Sequence, residues 1–301
     1  MVIVAGPTGS GKSHLALHLA GQFSGEMVNG DSLQLYRGFD IGTAKTPLAE
    51  RGNIPHHLFD VLPAQEGYSA GEYAAAARAL VADIAARGRL PIVTGGTGFY
   101  LRALLDGLPA LPERDEDLRG RLMARQHARP GSLHWILRRL DPAAAGRIHI
   151  QDVQKTLRAL EIRLLTRKPL PARSQAGKLE GYTVLKLGLD PDRTALRARI
   201  EERTRAMFEK GLIEEVQGLL AAGATGEEKP FESLGYKQTL RYLRGEISRE
   251  DAISSTTIET RQYAKRQLTW FRRDPEMHWL QGLGDDEKVI AEAAGLLRYS
   301  S

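Results

Sequence analysis

The residues near the start of the chain read Gly6-Pro7-Thr8-Gly9-Ser10-Gly11-Lys12-Ser13, after the apolar run 2–5 and before apolar residues at helical spacing. This is G-x-x-x-x-G-K-[ST], a P-loop, in the strand–loop–helix setting that supports the motif. The glycines let backbone N–H groups point inward at a helix N-terminus, where they bind a di- or triphosphate. The motif therefore predicts that residues 6–13 bind phosphates, with Lys12 neutralising them and the Ser13 hydroxyl reaching Mg²⁺.

Composition restricts the class of protein. The chain has 301 residues, of which 42% are hydrophobic and 26% charged, and it has no cysteine. It contains no run of eighteen apolar residues and no charged leader before an apolar segment, so we expect a soluble, cytoplasmic protein without a membrane span. The absence of cysteine excludes disulfides, thiolate catalysis and cysteine-ligated zinc.

Charge is distributed unevenly along the chain. The net charge is +5, but residues 119–173 contain thirteen Lys or Arg and three acids, a local charge of +10. Such a field of one sign indicates a polyanionic partner, and a solvated helical face is the alternative. This segment is bounded by prolines and shows no strand pattern. We therefore predict a basic, all-helical insertion at residues 113–175, within a discontinuous core formed by residues 1–112 and 176–301.

Strand-like and helix-like stretches alternate in the rest of the chain. Strands are predicted at residues 2–5, 26–29, 90–94 and 182–187. Ser69 and Glu72 form a capping box that predicts a helix ending at Gly88. The alternation predicts an α/β fold, a P-loop core with a mostly parallel sheet flanked by helices, whose ligands bind at the carboxyl ends of the strands.

Two charged residues stand out from this pattern. Asp31 follows the second predicted strand, where an acid can bind Mg²⁺ or accept a proton; a turn-forming aspartate is the alternative. Arg203 lies on the apolar stripe of a predicted helix at 193–210, where a guanidinium needs an anion such as diphosphate or a structural partner. The third strand is followed by Gly95 and Gly96 in place of an acid, which disfavours ATP hydrolysis.

Residues 261–273 form a second basic stretch. They include five cations, three aromatic residues and no acid. At helical spacing the aromatic side chains are expected to pack inward and the cations to face outward. This arrangement suits contacts with nucleic acid phosphates, although a core helix with a basic exterior is the alternative.

Together these segments resemble the bacterial tRNA dimethylallyltransferases, also called tRNA isopentenyltransferases. The matching stretches occur in the family's order over about nine tenths of the chain. They are residues 6–13, 31–38, 40–45, 55–58, 95–100, 158–161, 207, 211–212, 215–216, 234–238 and 263–267. One departure is His149-Ile150-Gln151-Asp152, where the family usually has His-Pro-Asn-Asp.

The resemblance implies a reaction and a set of site residues. A dimethylallyl group would pass from dimethylallyl diphosphate to the exocyclic amine of the adenosine 3′-adjacent to the tRNA anticodon, releasing diphosphate, with Mg²⁺ and without ATP. Asp31 would orient the amine and take its proton, while Thr8 and Arg203 would support the diphosphate. The implied tRNA contacts are Asp31, Ser32, Leu33, Gln34, Thr97, Arg119, Gln154, Lys155, Thr156, Leu157 and Arg158.

The partners expected are therefore the tRNA anticodon stem-loop and dimethylallyl diphosphate, bound by a monomer. Three alternatives remain open from the sequence. An adenylate isopentenyltransferase would prenylate free AMP, and a P-loop small-molecule or nucleotide kinase would use ATP. A non-enzymatic RNA-binding module would explain the charge but leave the P-loop without a role.

Overall fold

The chain divides into two compact units. The computed structural model describes residues 1–109, 111–171 and 177–300. Met1–Leu105 and Leu179–Ser301 form one unit, the core unit, and Asp106–Lys178 form the other, the insertion unit. Arg173 and the predicted boundary at residues 175 and 176 lie outside the described residues, and the roles predicted for the two segments stay predictions.

A parallel sheet forms the centre of the core unit. In the described residues its six strands are β1 (Val2–Ala5), β2 (Gly25–Asn29), β3 (His56–His57), β4 (Leu90–Thr94), β5 (Leu185–Leu189) and β6 (Met277–Leu280). Their order is β3-β2-β4-β1-β5-β6, and every pairing is parallel. The predicted α/β class with a mostly parallel sheet is confirmed.

The strand predictions differ from the structure at both edges of the sheet. The first three predicted strands are confirmed to within one residue, but β5 is shifted to Leu185–Leu189. Strands β3 and β6 were not predicted. The first has only two residues and the second is largely half-exposed, so neither carries the apolar run or strict alternation by which a strand is recognised.

Helices cover the sheet and build the insertion unit. The twelve helices of the described residues are α1 (Lys12–Gln22), α2 (Ala70–Ala86), α3 (Gly98–Asp106), α4 (Glu116–Ala128), α5 (Ser132–Leu140), α6 (Pro142–Arg147), α7 (Val153–Thr166), α8 (Arg193–Glu209), α9 (Leu212–Ala221), α10 (Tyr236–Leu243), α11 (Arg249–Phe271) and α12 (Glu287–Ser300). The capping box is confirmed. Ser69 Oγ accepts a hydrogen bond from the Glu72 N–H, and Glu72 Oε2 accepts one from the Ser69 N–H. None of these helices has the length and apolar character of a membrane span.

Each unit has a hydrophobic cluster of its own. In the core unit, Leu15 and Leu19 of α1 pack with Val2 and Val4 of β1 and with apolar residues of β4, β5 and α12. In the insertion unit, α4, α5, α6 and α7 bury leucines and alanines against one another. The first cluster matters for function because it fixes α1, and therefore the loop between β1 and α1, at the carboxyl end of the sheet.

Candidate active site

The loop between β1 and α1 has the backbone of a phosphate-binding loop. Gly9 and Gly11 adopt left-handed conformations, with φ of 81° and 86°. The loop is also supported from outside by the turn that follows β6, because the N–H of Gly284 donates to the Ser10 carbonyl at 2.8 Å. Ser13 lies in the first turn of α1, where helix N–H groups and an adjacent hydroxyl favour an anion and its counter-ion.

Two cations face the site, and neither forms an ion pair within the described residues. There Lys12 Nζ donates one hydrogen bond, to the Pro7 carbonyl at 2.8 Å. Burial lowers the pKa of Lys12 to about 8, with Asp31 opposing this shift and Arg203 adding to it. Burial likewise lowers the pKa of Arg203 to about 10, again with Asp31 opposing. Among the described residues Arg203 forms no hydrogen bond or ion pair, so the structural-partner alternative finds no support. A bound anion would relieve the cost of burying both charges.

Asp31 is anchored through one carboxylate oxygen. Its Oδ1 accepts from the N–H of Leu33 at 2.9 Å, and its own N–H donates to Asn29 Oδ1 at 2.8 Å. Asp31 does form a turn, but its Oδ2 accepts no hydrogen bond from the residues that the structure describes. A Cβ atom built on Gly96 would lie 3.8 Å from Oδ2, which places this oxygen beside the loop after β4. An anchored carboxylate with one free oxygen is suited to accept a proton.

Gln267 connects the loops that follow β1 and β4. Its Oε1 accepts from the Thr8 N–H at 2.8 Å, and its Nε2 donates to the Gly96 carbonyl at 2.9 Å. The side chain is buried, and a Cβ on residue 96 would come within 2.2 Å of Nε2, so any larger residue there would displace the amide. The sequence analysis missed this residue; the available signal was an amide in the stripe of α11 that also holds Ala264 and Phe271, both buried.

Four of the predicted tRNA contacts and Asp31 lie together in the core unit. The N–H of Ser32 donates to Thr97 Oγ1 at 3.1 Å, which joins the loops after β2 and β4. Gln34 Nε2 donates to the Thr43 carbonyl at 3.0 Å, and Leu33 is half-buried. The loops that carry these residues follow β2 and β4 and are joined by the Ser32–Thr97 bond.

The predicted contacts on α4 and α7 have different local environments. Thr156 and Leu157 are buried, and their contact with tRNA stays a prediction. Arg158 and Arg119 both pair with the fully buried Glu161, at 2.6 and 3.3 Å. Burial alone would raise the pKa of Glu161, but its bonds to Arg158 and to the N–H of Asp115 outweigh burial and lower it. These two arginines therefore have a structural role, because they neutralise the buried Glu161 carboxylate.

Gln154 and Lys155 are the predicted contacts on α7 that solvent reaches freely. Both side chains are exposed, and in the described residues Lys155 forms one ion pair, with Asp152 at 2.5 Å, three residues earlier. A pair of this kind on the surface contributes little stability. The lysine ammonium can therefore exchange its partner for a phosphate at small cost.

The basic face of α11 differs from its prediction in one residue. Ala264, Gln267 and Phe271 are buried, but Trp270 is 37% exposed. The expectation that the aromatic residues pack inward is therefore wrong for Trp270. This indole lies against the backbone of Gly98, at the start of α3.

Asp190 and His57 could suggest other chemistry, but each already binds another side chain. Asp190, which follows β5, accepts two hydrogen bonds from Arg272, at 3.0 and 3.1 Å. His57 pairs with Glu26 at 2.8 Å, beside Arg87, and the described residues contain no group of three or more His, Asp or Glu side chains that could hold a metal.

The geometry defines a P-loop protein of the α/β class, with an aspartate at the sheet edge and a separate helical unit. The profile of the family described as IPP transferase matches residues 34–274. A tRNA dimethylallyltransferase of Solibacter usitatus (strain Ellin6076) is 57% identical over 291 residues, covering 96% of this chain and 95% of the relative. One from Koribacter versatilis (strain Ellin345) is 52% identical over 304 residues, covering 100% and 98%. This chain belongs to the IPP transferase family.

Solved structures agree with this assignment. The full-length tRNA isopentenylpyrophosphate transferase of Bacillus halodurans superposes with a TM-score of 0.74 at 36% identity, covering 99% of this chain and 95% of the other. A eukaryotic dimethylallyltransferase acting on tRNA gives a TM-score of 0.81 at 28% identity, covering 99% and 79%.

Proposed function

We propose that this chain transfers the dimethylallyl group of dimethylallyl diphosphate to the exocyclic amine of the adenosine 3′-adjacent to the tRNA anticodon, releasing diphosphate. The names of the relatives support both the transferred group and the tRNA substrate. One observation carries the proposal: an aspartate and two cations come together at a P-loop, and among the described residues one aspartate oxygen accepts no hydrogen bond and neither cation forms an ion pair.

The P-loop and the two cations serve the leaving group. The N–H groups of residues 9–13, Lys12 and Arg203 bind the diphosphate, and Thr8 contributes at the tip of the loop. As the bond between carbon 1 of the dimethylallyl group and the diphosphate oxygen breaks, its electron pair moves to that oxygen. Lys12 and Arg203 already stand there as fixed positive charges, so they stabilise the charge that develops in the transition state.

Asp31 serves the nucleophile. An adenine amine is a poor nucleophile because its nitrogen lone pair is delocalised into the ring, so positioning has to supply much of the acceleration. The free Oδ2 of Asp31 accepts a hydrogen bond from the amine and takes its proton as the new nitrogen–carbon bond forms. The anchored Oδ1 holds the carboxylate in place during this transfer.

The residues present fit a Mg²⁺ ion bound mainly through substrate. Ser13 supplies a hydroxyl oxygen at the start of α1, and no cluster of acids competes for the ion in the described residues. Mg²⁺ prefers oxygen ligands and commonly binds through phosphates with few protein ligands. When bound, it supplies further positive charge to the diphosphate.

The insertion unit is assigned to the tRNA anticodon stem-loop. Its excess of Lys and Arg, with Gln154 and Lys155 exposed on α7, supports phosphate contacts, and residues 31–34 with Thr97 surround the reacting base. We further propose that the protein is a monomer and that it acts in the cytoplasm, where tRNA is available as substrate.

The test is incubation with labelled dimethylallyl diphosphate, Mg²⁺ and unmodified tRNA, followed by nucleoside analysis. We expect labelled adenosine beside the anticodon without ATP, and none with Asp31→Ala. Parallel reactions with AMP and with ATP separate the alternatives: labelled AMP indicates an adenylate isopentenyltransferase, and a strict need for ATP indicates a kinase. Either result contradicts the proposal.

A further inference from the structure

Two large aromatic side chains and an arginine form an exposed stack on the core unit. Phe99 is 43% exposed and Trp270 is 37% exposed. The guanidinium carbon of Arg102 lies 5.2 Å from the centre of the Phe99 ring and 5.1 Å from that of the Trp270 ring. We call this group the Phe99–Arg102–Trp270 stack. Its exposed aromatic rings form a potential binding surface.

The stack lies close to the candidate active site. A Cβ on Gly98 would come within 2.2 Å of the Trp270 ring, so the indole rests directly on the backbone. Gly96, which is beside the free oxygen of Asp31, precedes Gly98 by two residues, and two residues span at most about 7 Å. Trp270 also follows the buried Gln267 by less than one turn of α11.

The surroundings of Trp270 are basic. A shallow cavity of about 380 Å³ is lined by Gln262, Lys265, Arg266, Thr269, Trp270 and Arg273. In the described part of the chain, none of its three cations forms an ion pair, whereas Arg272 on the same helix is paired with Asp190. The cavity is therefore open, positively charged and bordered by an aromatic face.

We propose that the Phe99–Arg102–Trp270 stack binds an unpaired base of the RNA substrate. This base belongs to the nucleotide next to the reacting adenosine, and Lys265 and Arg273 contact the phosphates of the RNA. This inference rests on the proposed function. Every base has a flat face that stacks on an aromatic ring, and only unpaired bases expose that face. The combination of exposed indole, stacked guanidinium and unpaired cations matches single-stranded RNA in both shape and charge.

The test measures binding of an RNA stem-loop that carries the unmodified adenosine. Trp270→Leu removes one base–aromatic stack, so it should weaken binding of the stem-loop about 5- to 150-fold. The slope of log affinity against log salt concentration should stay unchanged for Trp270→Leu. For Lys265→Ala its magnitude should fall by about one. Affinity for inorganic diphosphate should be unchanged in both. Trp270→Phe should retain most of the binding, and Tyr299→Leu, which removes an aromatic residue 94% exposed on α12, should have no effect.

A matched change in the RNA identifies the stacked nucleotide. An RNA with an abasic site next to the adenosine should bind the unaltered chain more weakly by a similar factor. The same RNA change should cause little further loss of affinity in Trp270→Leu, because both changes remove the same contact. If the two losses simply add, or if Trp270→Leu binds the stem-loop normally, the inference is overturned. If Trp270→Leu fails to fold, Phe99→Leu in the same cycle decides it.

The two proposals fail separately. If the unaltered chain transfers no label to the stem-loop, the proposed function is contradicted. If transfer proceeds and the stack variants bind the stem-loop as the unaltered chain does, only the stacking inference is lost.

Discussion

The backbone N–H of Thr8 donates a 2.8 Å hydrogen bond to Oε1 of Gln267, across 259 residues of sequence. The same amide group donates from Nε2 to the Gly96 carbonyl, at 2.9 Å. Thr8 belongs to the phosphate-binding loop, and Gly96 lies beside the Asp31 carboxylate. One side chain thus links the proposed leaving-group half of the site to its nucleophile half.

Gln267→Leu should therefore impair catalysis although residue 267 carries no charge. The substitution keeps an apolar stem of similar size but leaves the Thr8 N–H and the Gly96 carbonyl without partners, a cost of about 1–3 kcal/mol. We expect a lower melting temperature from this cost, and single-turnover rates that fall by up to about 10²-fold because the two loops are no longer held in register. Gln217→Leu, an exposed position on α9, is the matched control. Equal rates for the two variants would contradict a positioning role.

Asp31→Asn and Arg203→Ala should fail in different ways. Asparagine preserves the Leu33 hydrogen bond but cannot accept the proton, so turnover should fall by roughly 10² to 10⁴. Diphosphate should bind as tightly or more tightly, because a negative charge near Lys12 is removed. Arg203→Ala should lower both turnover and diphosphate affinity, since its cation acts in ground and transition states. Calorimetry beside single-turnover kinetics checks both, and full activity of Asp31→Asn would exclude the proton-acceptor role.

Lys12 should make substrate affinity depend on pH. Burial lowers the pKa of Lys12 to about 8 in the free protein, and a bound diphosphate favours the charged ammonium. Below pH 8 the free protein already carries this charge; as pH rises above 8 it must take up a proton to bind, so affinity falls by up to about tenfold per pH unit.

The control for this titration is Lys12→Arg. A guanidinium keeps its charge throughout this range, and ionisation of the diphosphate is common to both proteins. The ratio of the two affinities for dimethylallyl diphosphate should therefore change above pH 8 and stay constant below it. A constant ratio across the whole range would show that Lys12 does not titrate there.

Lys155 and Arg158 should separate RNA binding from stability. Lys155→Ala should reduce the magnitude of the salt slope of tRNA binding by about one, with an unchanged melting temperature. Arg158→Ala should instead lower the free energy of unfolding by about 3 kcal/mol, because Arg119 is then the one charged partner that the described residues offer the buried Glu161. Adding Glu161→Leu to Arg158→Ala should recover part of this loss. If Arg158→Ala weakened tRNA binding at full stability, its contact with the RNA would be direct.

Local patterns were sufficient for much of the fold. The P-loop, strands β1, β2 and β4 and the capping box at Ser69 each depend on a few consecutive residues, so their residue types and spacing predicted them. Asp31 was found for the same reason, since an acid directly after a buried strand must lie at the carboxyl edge of a parallel sheet.

Other features depended on which distant residues meet. The helical stripe of Ala264 and Phe271 indicates that Gln267 is buried, but no sequence pattern shows which groups its amide binds. Only packing shows that Arg119 and Arg158 share Glu161, whereas Arg203 has no ion pair in the part of the chain that the structure describes. Trp270 and Gly98 likewise come together only in the folded chain. Secondary structure follows from neighbours along the chain, whereas burial, pairing and pKa shifts follow from contacts between segments far apart in sequence, which are formed only when those segments pack.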